Sequence, residues 1–218
     1  MELKDKKIVF VGDSITEGVG VDFEKNRFCD RIARETGAVC INCGIGGTRI
    51  AKQTKPSDEP SWDQDFISRV DALDSDADIV VIFGGTNDFG HGDAKFGTME
   101  SRDQHTFYGA LHTLYTKLLE KYPSSQIVIL TPLHRRGEND PLADGNRPQT
   151  DGVLIDYVNA IREVAEYYSL PVLDLFKTSG LQPAIPIIKD TYMPDALHPN
   201  DEGHRVLADK IIKFLNIL

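Results

Sequence analysis

The sequence predicts an α/β fold in which helices cover both faces of a parallel sheet. Three observations lead there. Short, wholly apolar runs rich in β-branched residues recur, as in strands buried on both faces. Between them lie segments with apolar residues at helical spacing. The two patterns alternate five times along 218 residues, as crossover helices between parallel strands require.

The first run is Ile8, Val9, Phe10 and Val11, ended by Gly12-Asp13-Ser14. Residues 23–36 carry Phe23, Phe28 and Ile32 at helical spacing, and Gly37 closes them as a C-terminal glycine does. A second strand is expected over 38–41, ended by Gly44-Ile45-Gly46-Gly47. Residues 61–73 read as a helix with Trp62, Phe66, Ile67 and Val70 on one face. The third strand covers 78–83 and meets Gly84-Gly85. The longest helix pattern spans 104–122, through Phe107, Leu111, Leu114, Tyr115, Leu118 and Leu119, and Pro123 stops it. A fourth strand at 127–130, a helix at 153–168, a fifth strand at 172–175 and a closing helix at 201–218 complete the series. No linker or repeat interrupts it, so 1–218 is expected to form one domain. Two polar stretches, 89–103 and 132–150, are long for connections in a compact domain, and such loops usually serve function.

Composition narrows the function classes. Hydrophobic residues at 40% and charged residues at 27% exclude a disordered chain, a collagen-like repeat and a coiled coil. Lys plus Arg number 24 against 34 Asp plus Glu, a net charge of −10. That field repels phosphate backbones and anionic lipid, so neither nucleic acid nor a membrane is expected as partner. No apolar run approaches the ~18 residues of a membrane span. The first apolar run is shorter than the ~7–15 residues of a signal-peptide core, so a cytoplasmic location is expected. The cysteines are Cys29, Cys40 and Cys43. Cys40 and Cys43 have CxxC spacing, but they lie in a strand pattern rather than at a helix start, so they read as core residues and not as a redox pair. Neither a metal nor a cofactor is expected.

In an open α/β sheet, ligands bind beyond the carboxyl ends of the strands. The first strand delivers Ser14, the second Gly44-Ile45-Gly46-Gly47, the third Gly85-Thr86-Asn87-Asp88, and the segment after the fifth Asp195-Ala196-Leu197-His198-Pro199. Each alone reads as a turn or a helix cap. Together they fill the roles of acyl transfer: nucleophile, base, orienting carboxylate and oxyanion donors. Ser14 offers the hydroxyl. His198 is the one histidine with both an Asp at i−3 and a Pro after it. Asp195 lies one turn away, within reach of the ring. Gly47 offers an N–H unobstructed by a side chain, Asn87 a side-chain amide, and Ser14 its own backbone N–H.

These residues resemble the SGNH hydrolases, the GDSL-like lipase/acylhydrolase family. Gly12-Asp13-Ser14 is similar to the family's first block, Asn42-x-Gly44-x-x-Gly47 to the second, Gly85-Thr86-Asn87-Asp88 to the third and Asp195-x-x-His198-Pro199 to the last. All four occur in order over most of the chain. The resemblance implies a three-layer α/β/α sandwich, flavodoxin-like, with strand order 2-1-3-4-5. It implies Ser14, Asp195 and His198 as the catalytic set and Ser14, Gly47 and Asn87 as the oxyanion hole. Asp13, Arg49, Asp88, Phe89, His91 and His134 are the candidate substrate-binding residues.

The activity this implies is hydrolysis of a carboxylic ester through an acyl-enzyme, with a small-molecule ester as partner. Only Phe89, Phe96, Leu133 and Leu142 stand in the polar loops to line a pocket for a long acyl chain. A short group such as acetyl, on a polar alcohol or carbohydrate, is therefore expected. Lysophospholipase, thioesterase and acyltransferase activities remain open alternatives. A flavodoxin-like nucleotide-binding module is disfavoured, because Asp13 and Glu17 in the first loop would repel a phosphate at close range.

Overall fold

Five strands make one parallel sheet: β1 (Lys7–Gly12), β2 (Val39–Gly44), β3 (Ile79–Phe83), β4 (Gln126–Leu130) and β5 (Val172–Leu173). Their order is β2-β1-β3-β4-β5, as expected. The computed structural model describes residues 2–142, 144 and 151–218. Nine helices accompany the sheet among them: α1 (Ser14–Glu17), α2 (Phe28–Thr36), α3 (Phe66–Arg69), α4 (Thr86–His91), α5 (Phe107–Lys121), α6 (Leu154–Tyr167), α7 (Leu175–Thr178), α8 (Pro186–Tyr192) and α9 (Asp201–Ile217). None is long and apolar enough to cross a membrane.

Side chains of a strand alternate between its faces, and β1 shows the consequence. Val9 and Val11 enter a core with Phe66, Leu111, Leu114 and Ile161, under α3, α5 and α6. Ile8 and Phe10 enter another with Phe28, Ile32, Leu207 and Ile211, under α2 and α9. β3 divides in the same way: Val80 and Ile82 face the first core, Ile79 and Val81 the second. This is why the central strands read as unbroken apolar runs.

The same alternation settles the CxxC pair. Cys40 packs towards the α2/α9 core and Cys43 towards the opposite one. Residues three apart on a strand point to opposite faces, so the two thiols cannot meet. All three cysteines are free, with Cys29 fully buried.

Some element boundaries differ from the sequence pattern. Residues 61–73 are not one helix. A 3-10 turn covers Pro60–Asp63, α3 starts separately with Asp65 accepting from the Ser68 amide at 2.8 Å, and a second 3-10 turn follows at Val70–Ala72. The Phe66 amide donates to the Arg49 carbonyl at 3.0 Å, which ties this break to the loop after β2. The helix expected over 23–36 begins only at Phe28, because Arg27 is extended and Phe23 is left exposed. β5 has two residues, and Leu175 already opens α7.

The chain runs from β1 outward to β2, then returns to β3 on the other side of β1. That reversal opens a crevice at the carboxyl ends of β1 and β3. Ser14 follows one strand and Asn87 the other.

Candidate active site

β1 ends at Gly12 and Asp13 caps α1. Its carboxylate accepts from the Ile15 amide at 3.0 Å, which places Ser14 at the first helical position. The first amides of a helix have no acceptor within it, so the Ser14 N–H remains available. Asp13 itself is buried, and burial pushes its carboxyl up to about 7 against the pull of the Ile15 amide and Arg69. It is a helix cap inside the protein, not the substrate contact expected.

His198 and Asp195 occupy the turn between α8 and α9. Asp195 Oδ1 accepts from the Leu197 and His198 amides at 2.9 and 2.7 Å, and Oδ2 meets His198 Nδ1 at 2.7 Å. Burial alone would raise this carboxyl, but the imidazole and the two amides outweigh it and hold it below its ordinary value. An ionised carboxylate only accepts, so the ring proton sits on Nδ1. Nε2 is then left to accept, and Ser14 Oγ lies 3.0 Å from it.

The turn is held from outside. The Arg136 amide donates to the Ala196 carbonyl at 2.8 Å, and its guanidinium to the Asp195 carbonyl at 3.0 Å. Ala196, between them in the turn, has φ +61°, a left-handed conformation an alanine adopts only when its surroundings impose it.

Gly47 follows β2 with φ +72°. A Cβ there would collide with Trp62 Cδ1 and Nε1, so the indole can lie on the backbone only because the residue is glycine. The Gly47 N–H has no acceptor among the described residues. Its loop is braced on both sides. Glu17 Oε2 accepts from the Gly46 amide at 2.9 Å, and Asn42 Oδ1 from the Gly44 amide at 2.8 Å. Arg69 donates to the Cys43 carbonyl at 2.9 Å and the Gly12 carbonyl at 3.2 Å, joining the loops after β1 and β2.

Asn87 stands in the first turn of α4, buried. Its Nδ2 donates to the Thr48 carbonyl at 3.0 Å, which fixes the amide against the Gly47 loop. An amide nitrogen carries two hydrogens, so one is left to donate elsewhere. A hydroxyl, an imidazole acceptor and a set of N–H donors thus converge from three strand ends and the 195–198 turn. Among the described residues no group of three or more His, Cys, Asp or Glu is arranged to hold a metal ion.

The other candidates divide. Asp88 is buried and accepts from the Ile50 and Ala51 amides at 2.9 and 2.8 Å; it anchors the loop after Gly47 and does not face a ligand. Phe89 is fully buried beside Tyr157, so it belongs to the core. His134 meets Glu138 Oε2 at 2.8 Å and packs against the Phe176 ring at a tilt, with no bond to Ser14 or His198. Arg49 and His91 do come together, at 3.1 Å, in the wall of a cavity beside Trp62.

The sequence pattern does not single out Glu17, Trp62 or Arg69 as site residues, and it marks Arg136 only within Arg135-Arg136, which reads as an exposed basic pair. Glu17 falls one turn after Ser14, and Trp62 is the chain's one tryptophan; Arg69 leaves no signal.

A model of the GDSL-like lipase/acylhydrolase family matches residues 10–206. A protein from Lactobacillus plantarum has a solved structure 31% identical to this chain, with TM-score 0.83, covering 98% of this chain and 97% of its own. The acetyl xylan esterase AlAXEase is 26% identical with TM-score 0.66, covering 95% of this chain and 98% of its own. The lipase/acylhydrolase from Enterococcus faecalis shares the fold, with TM-score 0.64 at 24% identity over 96% of this chain and 95% of its own. No curated protein is matched. The four sequence blocks, the sheet order and the family match converge, and the chain belongs to the GDSL-like lipase/acylhydrolase family of ester hydrolases.

Proposed function

We propose that this protein is a serine esterase that removes short acyl groups, acetyl above all, from a polar alcohol such as a carbohydrate. The observation that carries the mechanism is the Ser14–His198–Asp195 series, with links of 3.0 and 2.7 Å. Ser14 Oγ attacks the ester carbonyl carbon while its proton passes to His198 Nε2. The carbonyl oxygen becomes an oxyanion and accepts from the Ser14 and Gly47 amides and the Asn87 side chain. Ionised Asp195 stabilises the imidazolium that forms. His198 then returns the proton to the departing alkoxide, leaving an acyl-serine. Water attacks that ester and gives a proton to the same nitrogen; His198 then returns it to the departing Ser14 Oγ, which releases the acid and regenerates the free serine.

The acyl preference is argued from what the loops do not provide. Phe89 and Leu133 are sealed in the two cores, and Phe96 is packed against Phe107, Tyr108 and Tyr157. Of the four side chains expected to line an acyl channel, only Leu142 is exposed. A long chain would go without the ~0.8 kcal/mol per methylene that burial provides. The likeness to AlAXEase supports the same reading.

The test is a series of p-nitrophenyl esters of graded acyl length, with wild type and Ser14→Ala. Acetyl should exceed octanoyl in kcat/KM, and Ser14→Ala should fall to background. A rate climbing with chain length would reject the acyl preference, and an active Ser14→Ala would reject the nucleophile.

A further inference from the structure

The cavity beside the Gly47 loop measures about 430 Å³, and Arg49, Gln53, Ser57, Trp62, His91 and Asp93 are among its lining residues. That volume lies within the range of small-molecule sites. It adjoins the candidate oxyanion site through one residue: Trp62 forms part of its wall, and the pyrrole ring of the indole lies against Gly47.

We infer that this cavity is the subsite for the alcohol half of the ester, and that it is built for a neutral sugar ring. The inference rests on the esterase reading above for its place in the reaction, but not for its binding chemistry.

Arg49, Asp93 and Gln53 in the wall already have partners within the protein. The Arg49 guanidinium donates to Asp63 Oδ1 at 2.9 Å, Ser57 Oγ at 2.6 Å and His91 Nδ1 at 3.1 Å. Asp93 accepts from the Thr54 amide and hydroxyl and from the Lys55 amide. Gln53 donates to the Ala51 carbonyl and accepts from the Asp93 amide. Lys55 and Asp58 also line the cavity, so the formal charges of its wall cancel, Arg49 and Lys55 against Asp58 and Asp93. The wall therefore carries no net positive charge to select a phosphate or carboxylate, and an alkyl chain would leave its free N–H groups unpaired.

What remains in the wall is an aromatic side chain and two neutral donors without a protein acceptor among the described residues. Arg49 has no acceptor atom, so His91 Nδ1 must be the acceptor and the ring proton sits on Nε2. Burial, with Arg49 adding to it, pushes His91 down to about 4, so the ring stays neutral. Nε2 has no protein partner among the described residues. The Trp62 and His91 rings lie 4.7 Å apart, and the Trp62 indole N–H is the second donor. A pyranose presents an apolar C–H face that stacks on an indole and ring hydroxyls that accept from such donors. An amphipathic aromatic with a few placed polar groups is the usual composition of a site for such a molecule.

Trp62 is the one tryptophan of the chain, so its fluorescence reports this cavity and the adjoining Gly47 loop. Ser14→Ala protein, which should not turn over, would be titrated with the methyl glycosides of xylose, glucose and mannose and with xylobiose. At least one should give a saturable change in emission in the millimolar range. His91→Leu should weaken that binding about tenfold, equivalent to ~1.4 kcal/mol, while His91→Gln, which keeps an N–H donor, should largely retain it. Inorganic phosphate and octanoate should give no saturable change. The inference is overturned if no sugar saturates, if His91→Leu binds like the parent, or if octanoate or phosphate saturates instead. Each result is a binding measurement, so it stands apart from whether Ser14 proves to be the nucleophile.

Discussion

Asn87 gives one of its two amide hydrogens to the Thr48 carbonyl at 3.0 Å, so the side chain proposed as an oxyanion donor also pins the loop carrying Gly47. The two roles separate by measurement. Asn87→Ala strands a buried carbonyl, which should lower stability by ~1–3 kcal/mol in urea unfolding. Loss of the oxyanion donor should lower kcat by about 10²–10³ with KM little changed. Asn87→Asp keeps the shape but sets an anion against both the Thr48 oxygen and the forming oxyanion, so its activity should be near zero. Unfolding changes with kcat within a few-fold of wild type would leave Asn87 as a loop anchor only.

Asp195→Asn tests the tautomer argument. The asparagine oxygen can still accept from the Leu197 and His198 amides, which now bond Oδ1 at 2.9 and 2.7 Å. Its Nδ2 would then face His198 Nδ1 as a donor and force that nitrogen to accept. The ring proton moves to Nε2, which can no longer take a proton from Ser14. The expected loss in kcat is about 10⁴ with the fold intact, against near-background activity for His198→Ala. Wild-type kcat in Asp195→Asn would show that the carboxylate does not set the tautomer.

The stability of this protein should depend on His204. Its ring stacks on Phe28, Nδ1 accepts from the Phe28 amide at 3.0 Å, and Nε2 is buried without a partner. Burial, helped by Arg31, pushes this histidine down to about 4. Unfolded histidine takes up a proton near ~6.5 while the native ring refuses it until about 4, so stability is lost as pH falls through that window. His91 acts in the same direction. Asp13, pushed up to about 7, and Asp88, to about 6, act oppositely, since their native forms bind protons first. The clean observable is therefore a difference. The fall in unfolding free energy from pH 7 to pH 5 should be smaller by ~2 kcal/mol in His204→Asn than in wild type. Equal falls would mean that the native ring titrates normally.

The sheet was legible because β1 and β3 are apolar at every central position, each strand feeding both cores. The candidate site was legible where a residue type stands out at a strand end, as Ser14, Gly47 and Asn87 do, or in a short spaced block, as Asp195 and His198 do. Other features leave no period to read. Trp62, Phe66, Ile67 and Val70 mimic a helical stripe, yet Trp62 leaves the core to lie on Gly47 while Phe66 enters it. The four-residue α1 and six-residue α4 are too short for periodicity to register. A sequence also cannot say whether a carboxylate meets solvent or backbone amides, which is why Asp13 and Asp88 looked available for substrate.

Arg136 touches none of the reacting groups, yet it should affect the chemistry. It lies 59 positions from Asp195 in sequence, yet its guanidinium holds the Asp195 carbonyl and its amide the next one. Between the carboxylate and the imidazole sits Ala196 at φ +61°, a conformation costing ~1–2 kcal/mol for an L-residue. Removing an outside support should let the turn relax and carry Asp195 away from His198 part of the time. Arg136→Ala is therefore expected to lower kcat about 3–10-fold, ~0.7–1.4 kcal/mol of barrier, with KM unchanged. The lost hydrogen bond is exposed and should cost no more than ~1 kcal/mol of stability. Ala196→Gly supplies the control, because glycine adopts this φ without strain. In that background Arg136→Ala should cost distinctly less in kcat, a coupling that a double-mutant cycle reads directly. An Arg136→Ala variant with altered KM alone, or additive effects of the two substitutions, would place Arg136 outside the support of the Asp195–His198 turn.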